Sequence, residues 1–225
     1  LGSSTLTTGV FSSSNSNTRA INFGTGKISL YTASTGTIWN TATVTGLTVS
    51  GTPLVQCAGA GTSVTKTINT GALSEANAIS FSFLDSGTVT YAFTAGNVFK
   101  NLIFNGTQTV SNIAITVYGS FTHSTVSTTT FTAGTNAWTF AATSGNYTMT
   151  PTSGFTYDWP WTFGSATAST ATWSLGANLT LGATRQLSLV NGTFDVNNKT
   201  ISAAGITVLT GSATLNNTGG TTVSI

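Results

Sequence analysis

The sequence contains very few charged residues. Of its 225 residues, six are Lys or Arg and four are Asp or Glu, so only 4% are charged, against roughly a quarter in an ordinary soluble domain. It also has a single His and a single Cys. Because active sites are assembled from acids, bases and nucleophiles, this composition argues against an enzyme. For the same reason we expect no cofactor and no metal site.

The cations are too scattered to form a nucleic-acid interface. The formal net charge is +2, whereas binding to phosphates needs a cluster of Lys and Arg that replaces their counterions. The six cations occur singly, at Arg19, Lys27, Lys66, Lys100, Arg185 and Lys199. We therefore expect no nucleic-acid partner.

Long apolar runs and paired cysteines are also missing. No segment approaches the eighteen or so consecutive apolar residues of a membrane-spanning helix, so no membrane partner is expected. Cys57 cannot form an internal disulfide and is expected to be a small buried hydrophobic residue. The chain is nevertheless 39% hydrophobic and 10% aromatic, which is too hydrophobic for a disordered segment.

The residues that are abundant favour β-structure. Thr and Ser make up roughly a third of the chain, and Thr is β-branched, which disfavours helix and favours strands. Gly and Asn, also frequent, are typical of turns. The one stretch with helical character, residues 72–78, is too short for more than a single turn. The composition predicts an all-β protein.

Apolar residues alternate with Thr, Ser or Asn in many short runs, which places them on one face of a strand. The clearest runs are Ile21/Phe23, Ile28/Leu30, Leu47/Val49, Ile79/Phe81/Phe83 and Val89/Tyr91/Phe93. Toward the C-terminus the apolar residues recur about every seven to eight positions, at Leu179/Leu181, Leu187/Leu189, Phe194/Val196, Ile201, Ile206/Val208, Leu215 and Val223/Ile225.

Three such strand-and-corner segments add up to about 21 to 24 residues, the length of one β-solenoid coil. The spacing predicts a right-handed parallel β-solenoid, or β-helix, over a single segment, residues 1–225. The alternative is an antiparallel β-sandwich, in which Asn105-Gly106 and Asn191-Gly192 would be hairpin turns. In a solenoid the same asparagines would form ladders at stacked corners.

Both ends of the chain have alternating, strand-like sequence without an obvious capping segment. Residues 221–225 read TTVSI, and the chain opens at Leu1 in a Thr-rich pattern. Exposed strand edges recruit further strands. We therefore expect the segment to continue into further coils of its own chain or to pack against sister chains.

Four phrases carry a resemblance to a known group of proteins. They are FSSSNSNTRAINFGTG at 11–26, GTNAWTFAATSG at 134–145, NLTLGATR at 178–185 and LSLVNGTFDVNNKTI at 187–201. The chain resembles the Thr/Ser-rich, long-repeat β-helical proteins of bacteriophages and aquatic bacteria. The resemblance implies a non-enzymatic structural protein in a virion appendage (tail fibre, tailspike or decoration) or an extracellular fibre. It implies a location on the virion or the cell surface.

A carbohydrate-binding or glycan-depolymerising β-helix, used for host or surface attachment, is the alternative function. It would place Tyr157, Asp158, Trp159 and Trp161 at a surface glycan or a protein partner, since Trp rings stack on sugars and a carboxylate accepts from their hydroxyls. However, alternation puts Tyr157, Trp159, Trp161 and Phe163 on one face, as in a core strand. Core or inter-subunit packing is therefore the favoured interpretation.

Acid pairs and the histidine are weaker candidates. Glycoside hydrolysis needs two carboxyl groups about 5 to 10 Å apart, and Glu75 with Asp85, or Asp158 with Asp195, could meet on stacked coils. Turn or ladder roles are expected for Asp85 and Asp195. His123 has no second His or Cys with which to bind a metal and no nucleophile motif.

Three cations precede a strand in a similar way. Arg19, Lys66 and Arg185 each follow a Thr and stand just before an alternating run. We expect each to lie at a coil corner and to donate hydrogen bonds to backbone carbonyls of the neighbouring coil.

Overall fold

The computed structural model describes residues 1–59, 61, 63–208 and 212–219. In the first part of the chain the strands are β1 (Thr5–Thr8), β2 (Phe11–Ser12), β3 (Arg19–Asn22), β4 (Lys27–Leu30), β5 (Gly36–Asn40), β6 (Leu47–Ser50), β7 (Leu54–Cys57), β8 (Val64–Asn69), β9 (Ser80–Phe83), β10 (Val89–Phe93), β11 (Asn97–Phe99), β12 (Leu102–Phe104) and β13 (Gln108–Val110). They continue as β14 (Ile115–Val117), β15 (Phe121–His123), β16 (Thr130–Phe131), β17 (Trp138–Phe140), β18 (Asn146–Thr150), β19 (Thr156–Tyr157), β20 (Trp161–Phe163), β21 (Thr172–Leu175), β22 (Leu179–Leu181), β23 (Gln186–Leu189), β24 (Gly192–Asp195), β25 (Ile201–Ser202), β26 (Gly205–Val208) and β27 (Ala213–Asn216).

Helix is confined to one turn within the described ranges. A 3-10 turn spans Glu75–Asn77, inside the short stretch where a single turn was predicted. The predicted strand around Val223 and Ile225 lies outside the described residues.

The chain divides into two compact units. Unit 1 comprises residues 1–111 and 126–130, and unit 2 comprises residues 112–125 and those from 131 onward. In unit 1, one sheet has the strand order β1-β4-β7-β9-β12, a second has β2-β5-β8-β10-β13, and β3 pairs with β6. All of these pairs are parallel.

Unit 2 repeats this arrangement. Its sheets have the orders β15-β18-β21-β24-β27, β14-β17-β20-β23-β26 and β19-β22-β25, again with parallel pairing. Through most of each unit, a strand therefore stacks on the strand that lies three strands earlier in the chain. This is the topology of a parallel β-solenoid. This confirms the predicted fold, and no antiparallel sandwich occurs among the strands listed above. A right-handed coil remains a prediction, based on the general preference of parallel crossovers.

The two Asn-Gly pairs are corners and not hairpin turns. Asn105-Gly106 lies between β12 and β13, and Asn191-Gly192 joins β23 to β24. In both cases the flanking strands belong to different sheets. The chain therefore turns from one face of the coil to the next at these positions.

Coil length varies more than the sequence suggested. Phe194 pairs with Leu215, 21 positions later, and Thr5 pairs with Lys27, 22 positions later. However, Phe121 pairs with Met149, 28 positions later. The predicted length of 21 to 24 residues fits the first two of these pairs, but other stacked strands are offset by as few as 19 or as many as 30 positions.

Alternation along each strand builds columns of like residues in unit 2. Trp138, Trp161 and Leu187 are in register on β17, β20 and β23 and point into the core. One position along, Thr139, Thr162 and Ser188 form an outward, half-buried column. The core is apolar and the outer surface carries hydroxyls, as period-two patterning dictates.

Candidate functional site

The aromatic cluster predicted as a contact site lies inside unit 2. Tyr157, Trp159, Trp161 and Phe163 are at most 1% exposed. The Trp159 ring centroid lies 4.9 Å from that of Trp138, and that of Trp161 lies 5.2 Å from that of Phe140. The structure therefore confirms core packing, which the alternation of the sequence favoured, for these four residues. A sugar has no access to these rings.

Asp158 is the member of the cluster that reaches solvent. Its side chain is 44% exposed, and its Oδ1 accepts a hydrogen bond from Nε of Arg185 at 2.7 Å. The two residues are 27 positions apart, about one coil. The pair therefore ties successive coils together. The expectation that Arg185 donates to backbone carbonyls is wrong, because a nearby carboxylate is the stronger acceptor.

His123 belongs to a buried hydrogen-bond chain in unit 2. Its Nδ1 lies 2.9 Å from the hydroxyl oxygen of Tyr157, and that oxygen accepts a hydrogen bond from the N–H of Thr152 at 2.8 Å. Tyr157 therefore has its own proton to donate to Nδ1. Burial lowers the pKa of His123 to about 4, so the ring is neutral near pH 7. No group of three His, Cys, Asp or Glu side chains that could hold a metal occurs in the described part of the chain.

The other acids have structural partners. Glu75 lies 3.9 Å from Lys100 in a partly exposed ion pair. Asp195 Oδ1 accepts hydrogen bonds from the N–H groups of Asn197 and Thr218, each at 2.9 Å. Since Thr218 is 23 positions away, Asp195 links a turn to the neighbouring coil, as predicted. Asp85 also links neighbouring coils, as predicted, because its Oδ1 accepts a hydrogen bond from the N–H of Gly59, 26 positions away. What the prediction did not include is that Asp85 is buried beside Lys66.

Arg19 confirms the expectation for a corner cation. Its Nη1 donates to the carbonyls of Asn17 at 3.0 Å and Thr45 at 2.9 Å, and its Nε donates to Ser13 O at 3.1 Å. Thr45 belongs to the next coil, 26 positions away. The guanidinium thus holds together the loop of the SSSNSNTR phrase and the loop stacked on it.

Lys66 is the second cation for which the expectation failed, after Arg185. It is 0% exposed and forms an ion pair with Asp85, whose side chain is also 0% exposed. The sequence carries a signal for this placement, because Val64, Lys66 and Ile68 share one face of an alternating strand. That face is the core face.

An exposed array of hydroxyls lies on unit 1. We define the threonine face as Thr88, Thr90, Thr107, Thr109, Thr128 and Thr130, which are all exposed or half-buried. Thr90 and Thr109 are in register on β10 and β13. The hydroxyls of Thr107 and Thr128 lie 2.8 Å apart, and those of Thr109 and Thr130 lie 3.0 Å apart. Neighbouring coils are therefore joined by hydroxyl pairs on a surface without charge.

Asparagines also link coils. In unit 2, Asn112 Nδ2 donates to the carbonyl of Asn136 at 3.2 Å, and Asn136 Nδ2 donates back to the carbonyl of Asn112 at 3.3 Å. The two residues are 24 positions apart. The ladder was predicted for Asn105 and Asn191, but Asn191 Nδ2 donates instead to the carbonyls of Ser165 and Thr167.

A groove of about 590 Å³ lies on unit 1. Its lining includes Lys27, Lys100, Leu54 and Ile103 together with Ser, Thr and other small or polar residues, and contains neither a carboxylate nor an aromatic ring. These are the two groups that a glycan-cleaving groove needs. The groove therefore lacks the chemistry of a glycosidase.

No protein-family model matches this chain, and neither a curated protein nor a solved structure is significantly similar to it. In the described ranges no helix is long and apolar enough to cross a membrane.

Proposed function

We propose that this chain is a non-enzymatic, structural β-solenoid segment of a phage virion appendage or of an extracellular fibre. The proposal rests on one observation: the side chains that could have formed a binding or catalytic site instead pack in the core or link neighbouring coils. The candidate rings Tyr157, Trp159 and Trp161 pack in the core. The polar candidates Arg19 and Asp158 tie coil to coil.

The outer surface supports the same proposal. The threonine face offers hydroxyls and no charge, which suits contact with a flat neighbouring surface better than recognition of a small ligand. Its hydroxyls are partly paired with each other across neighbouring coils, so the face is regular. A structural segment needs this regularity for lateral or axial contact.

The scarcity of charge supports assembly. Soluble domains that remain separate usually carry charge on about 25 to 35% of their surface residues, whereas this chain has ten Lys, Arg, Asp and Glu residues in total. Hydroxyls hydrate a surface but provide no electrostatic repulsion. We therefore propose sister chains, or further coils of the same chain, as partners on a virion or a cell surface.

Sedimentation analysis at neutral pH and moderate salt, over a series of protein concentrations, tests the assembly. Oligomers or fibres that grow with concentration are expected. A monodisperse monomer at high concentration would contradict the proposal.

Binding and cleavage assays with surface polysaccharides separate the structural role from the glycan-active one. We expect neither retention on immobilised glycan nor release of reducing ends. Cleavage by the intact chain that is lost in Asp158→Asn or Glu75→Gln would overturn the structural proposal in favour of an enzyme.

A further inference from the structure

Two opposite charges are buried together in unit 1. Lys66, on β8, and Asp85, two residues after β9, have 0% exposed side chains. Tyr91 and Cys57, which lie beside them, are also 0% exposed. A chain with only four acids and six cations thus places one of each where water does not reach.

The Asp85 carboxyl group is held at both oxygens. Lys66 Nζ lies 2.8 Å from Oδ2, and the hydroxyl of Tyr91 donates a hydrogen bond to the same oxygen. The backbone N–H of Gly59 donates a hydrogen bond to Oδ1. The amine nitrogen therefore contacts an oxygen that is bonded directly to Cγ. The two carboxyl oxygens have different partners.

Burial makes the charged form of this pair costly. Removing an ammonium and a carboxylate from water carries a desolvation penalty that their mutual attraction often fails to repay. Transfer of one proton along the 2.8 Å hydrogen bond gives a neutral amine beside a neutral carboxylic acid. In that form the nitrogen carries a lone pair, and a small rotation away from the Oδ2–H group lets this lone pair attack the carboxyl carbon next to it.

We propose that Lys66 and Asp85 condense spontaneously to an intramolecular isopeptide bond. The bond between Nζ and Cγ forms, and the bond between Cγ and Oδ2 breaks. Of the three protons on the ammonium group, two leave with Oδ2 as water and the third remains on the amide nitrogen. No oxidant, reductant or external reactant is needed.

The neighbours of the carboxyl group have defined roles in this step. The N–H of Gly59 stabilises the negative charge that develops on Oδ1 when nitrogen attacks. The Tyr91 hydroxyl supports the departure of Oδ2 by hydrogen bonding to it. Burial raises the pKa of Tyr91, so the phenol keeps its proton for this purpose.

The surroundings favour the condensed state. The Phe83 ring lies 4.5 Å from the Tyr91 ring, measured between centroids, and Phe83 is in register with Cys57 on the preceding coil. This apolar enclosure keeps out the water that hydrolysis would require.

The bond would staple two successive coils. Lys66 is in register with Tyr91 across β8 and β10, and it is separated from Asp85 by 19 positions. Closing this loop covalently reduces the entropy of the unfolded chain, as a disulfide does, without requiring an oxidising compartment. A structural β-solenoid would gain resistance to unstacking of these coils.

Mass spectrometry of the intact, denatured 225-residue chain tests the proposal. We expect a mass lower than the sequence mass by one water. Trypsin does not cut after a lysine whose amine is acylated, so digestion should give one fragment, 28–100, also lacking one water. An unlinked chain gives 28–66 and 67–100. Lys100, in its partly exposed ion pair with Glu75, is the internal control and should be cut normally.

Variants distinguish the isopeptide from other dehydrations. Lys66→Arg keeps the positive charge but should restore the full mass, as should Asp85→Ala. Tyr91→Phe keeps the ring and should lower the linked fraction at a given time after synthesis. Circular dichroism checks that each variant retains β-structure, although the wild-type mass decides the proposal by itself.

Two results would overturn it. One is a wild-type chain of full sequence mass that trypsin cuts after Lys66. The other is a one-water deficit that persists in Lys66→Arg, since this would place the dehydration elsewhere, for example in an imide at Asp85.

Discussion

Arg19 donates a hydrogen bond from Nη1 to the carbonyl oxygen of Thr45, 26 residues further along the chain, across 2.9 Å. The same guanidinium also donates to Ser13 and Asn17 in its own coil. One side chain thus fixes the shape of one corner loop and its distance from the next. This relationship gives the SSSNSNTR phrase a structural meaning.

Replacing Arg19 by Lys is expected to reduce the free energy of unfolding by about 1–2 kcal/mol. A lysine keeps the charge but cannot donate from several fixed directions to carbonyls on two loops. Chemical denaturation measures the change. Lys27→Ala, in β4, is the control and should change the stability by less than about 0.5 kcal/mol. Equal effects of the two substitutions would contradict the role assigned to Arg19.

Gly24→Ala should be strongly destabilising because Gly24 belongs to a glycine column. Gly2, Gly24 and Gly51 have positive φ angles of 60°, 58° and 85°, and a Cβ on Gly24 would lie 2.6 Å from the carbonyl oxygen of Gly2. The substitution therefore adds a backbone clash to the strain of the left-handed conformation, which costs about 1–2 kcal/mol by itself.

Gly96→Ala is the matched control for the glycine column. Gly96 also has a positive φ, 79°, but a Cβ there meets nothing within 4 Å. Melting curves should show a loss for Gly24→Ala that exceeds that for Gly96→Ala by at least about 1 kcal/mol. If both variants lose the same stability, the close stacking of glycines does not matter.

His123 should make the stability depend on pH in mildly acidic solution. Its pKa is about 4 in the folded chain and about 6.5 when unfolded. Between these values the unfolded state binds more protons, so stability falls as the pH drops from about 6.5 to 4. The loss is of order 3 kcal/mol.

Urea denaturation at a series of pH values measures this effect. His123→Gln removes the titrating group, and its stability should vary less across the same window than that of the wild type. An identical pH profile for the two proteins would show that other groups are responsible.

Trp161→Ala should cost about 3–5 kcal/mol, as for other large-to-small substitutions in a core. Trp161→Phe should cost less than half as much, because the ring is largely kept and the indole N–H has no hydrogen-bond partner to lose. Tyr31→Ala, at a ring that is 64% exposed, is the control. A folded Trp161→Ala chain of unchanged stability would contradict the core position of this ring.

Much of the fold follows from the sequence alone. Period-two alternation identifies which side chains face the core, and this succeeds at Leu179/Leu181 on β22 and Leu187/Leu189 on β23. It also separates the buried Trp161 from the outward Thr162. These features are local properties of a strand, since adjacent residues point to opposite faces whatever the strand packs against.

Only the tertiary structure decided which residues meet. Arg19, Lys66 and Arg185 have similar sequence contexts, yet they bind backbone carbonyls, a buried aspartate and a half-exposed aspartate, respectively. The partner of a residue lies one coil away, and the offset between stacked strands ranges from 19 positions, between Val89 and Gln108, to 30 positions, between Gly36 and Lys66. Alternation excludes a shift of one residue, because that shift exchanges the inner and outer faces of a strand, but it allows a shift of two. The register that joins Lys66 to Asp85 is therefore fixed by the packing of the stacked coils.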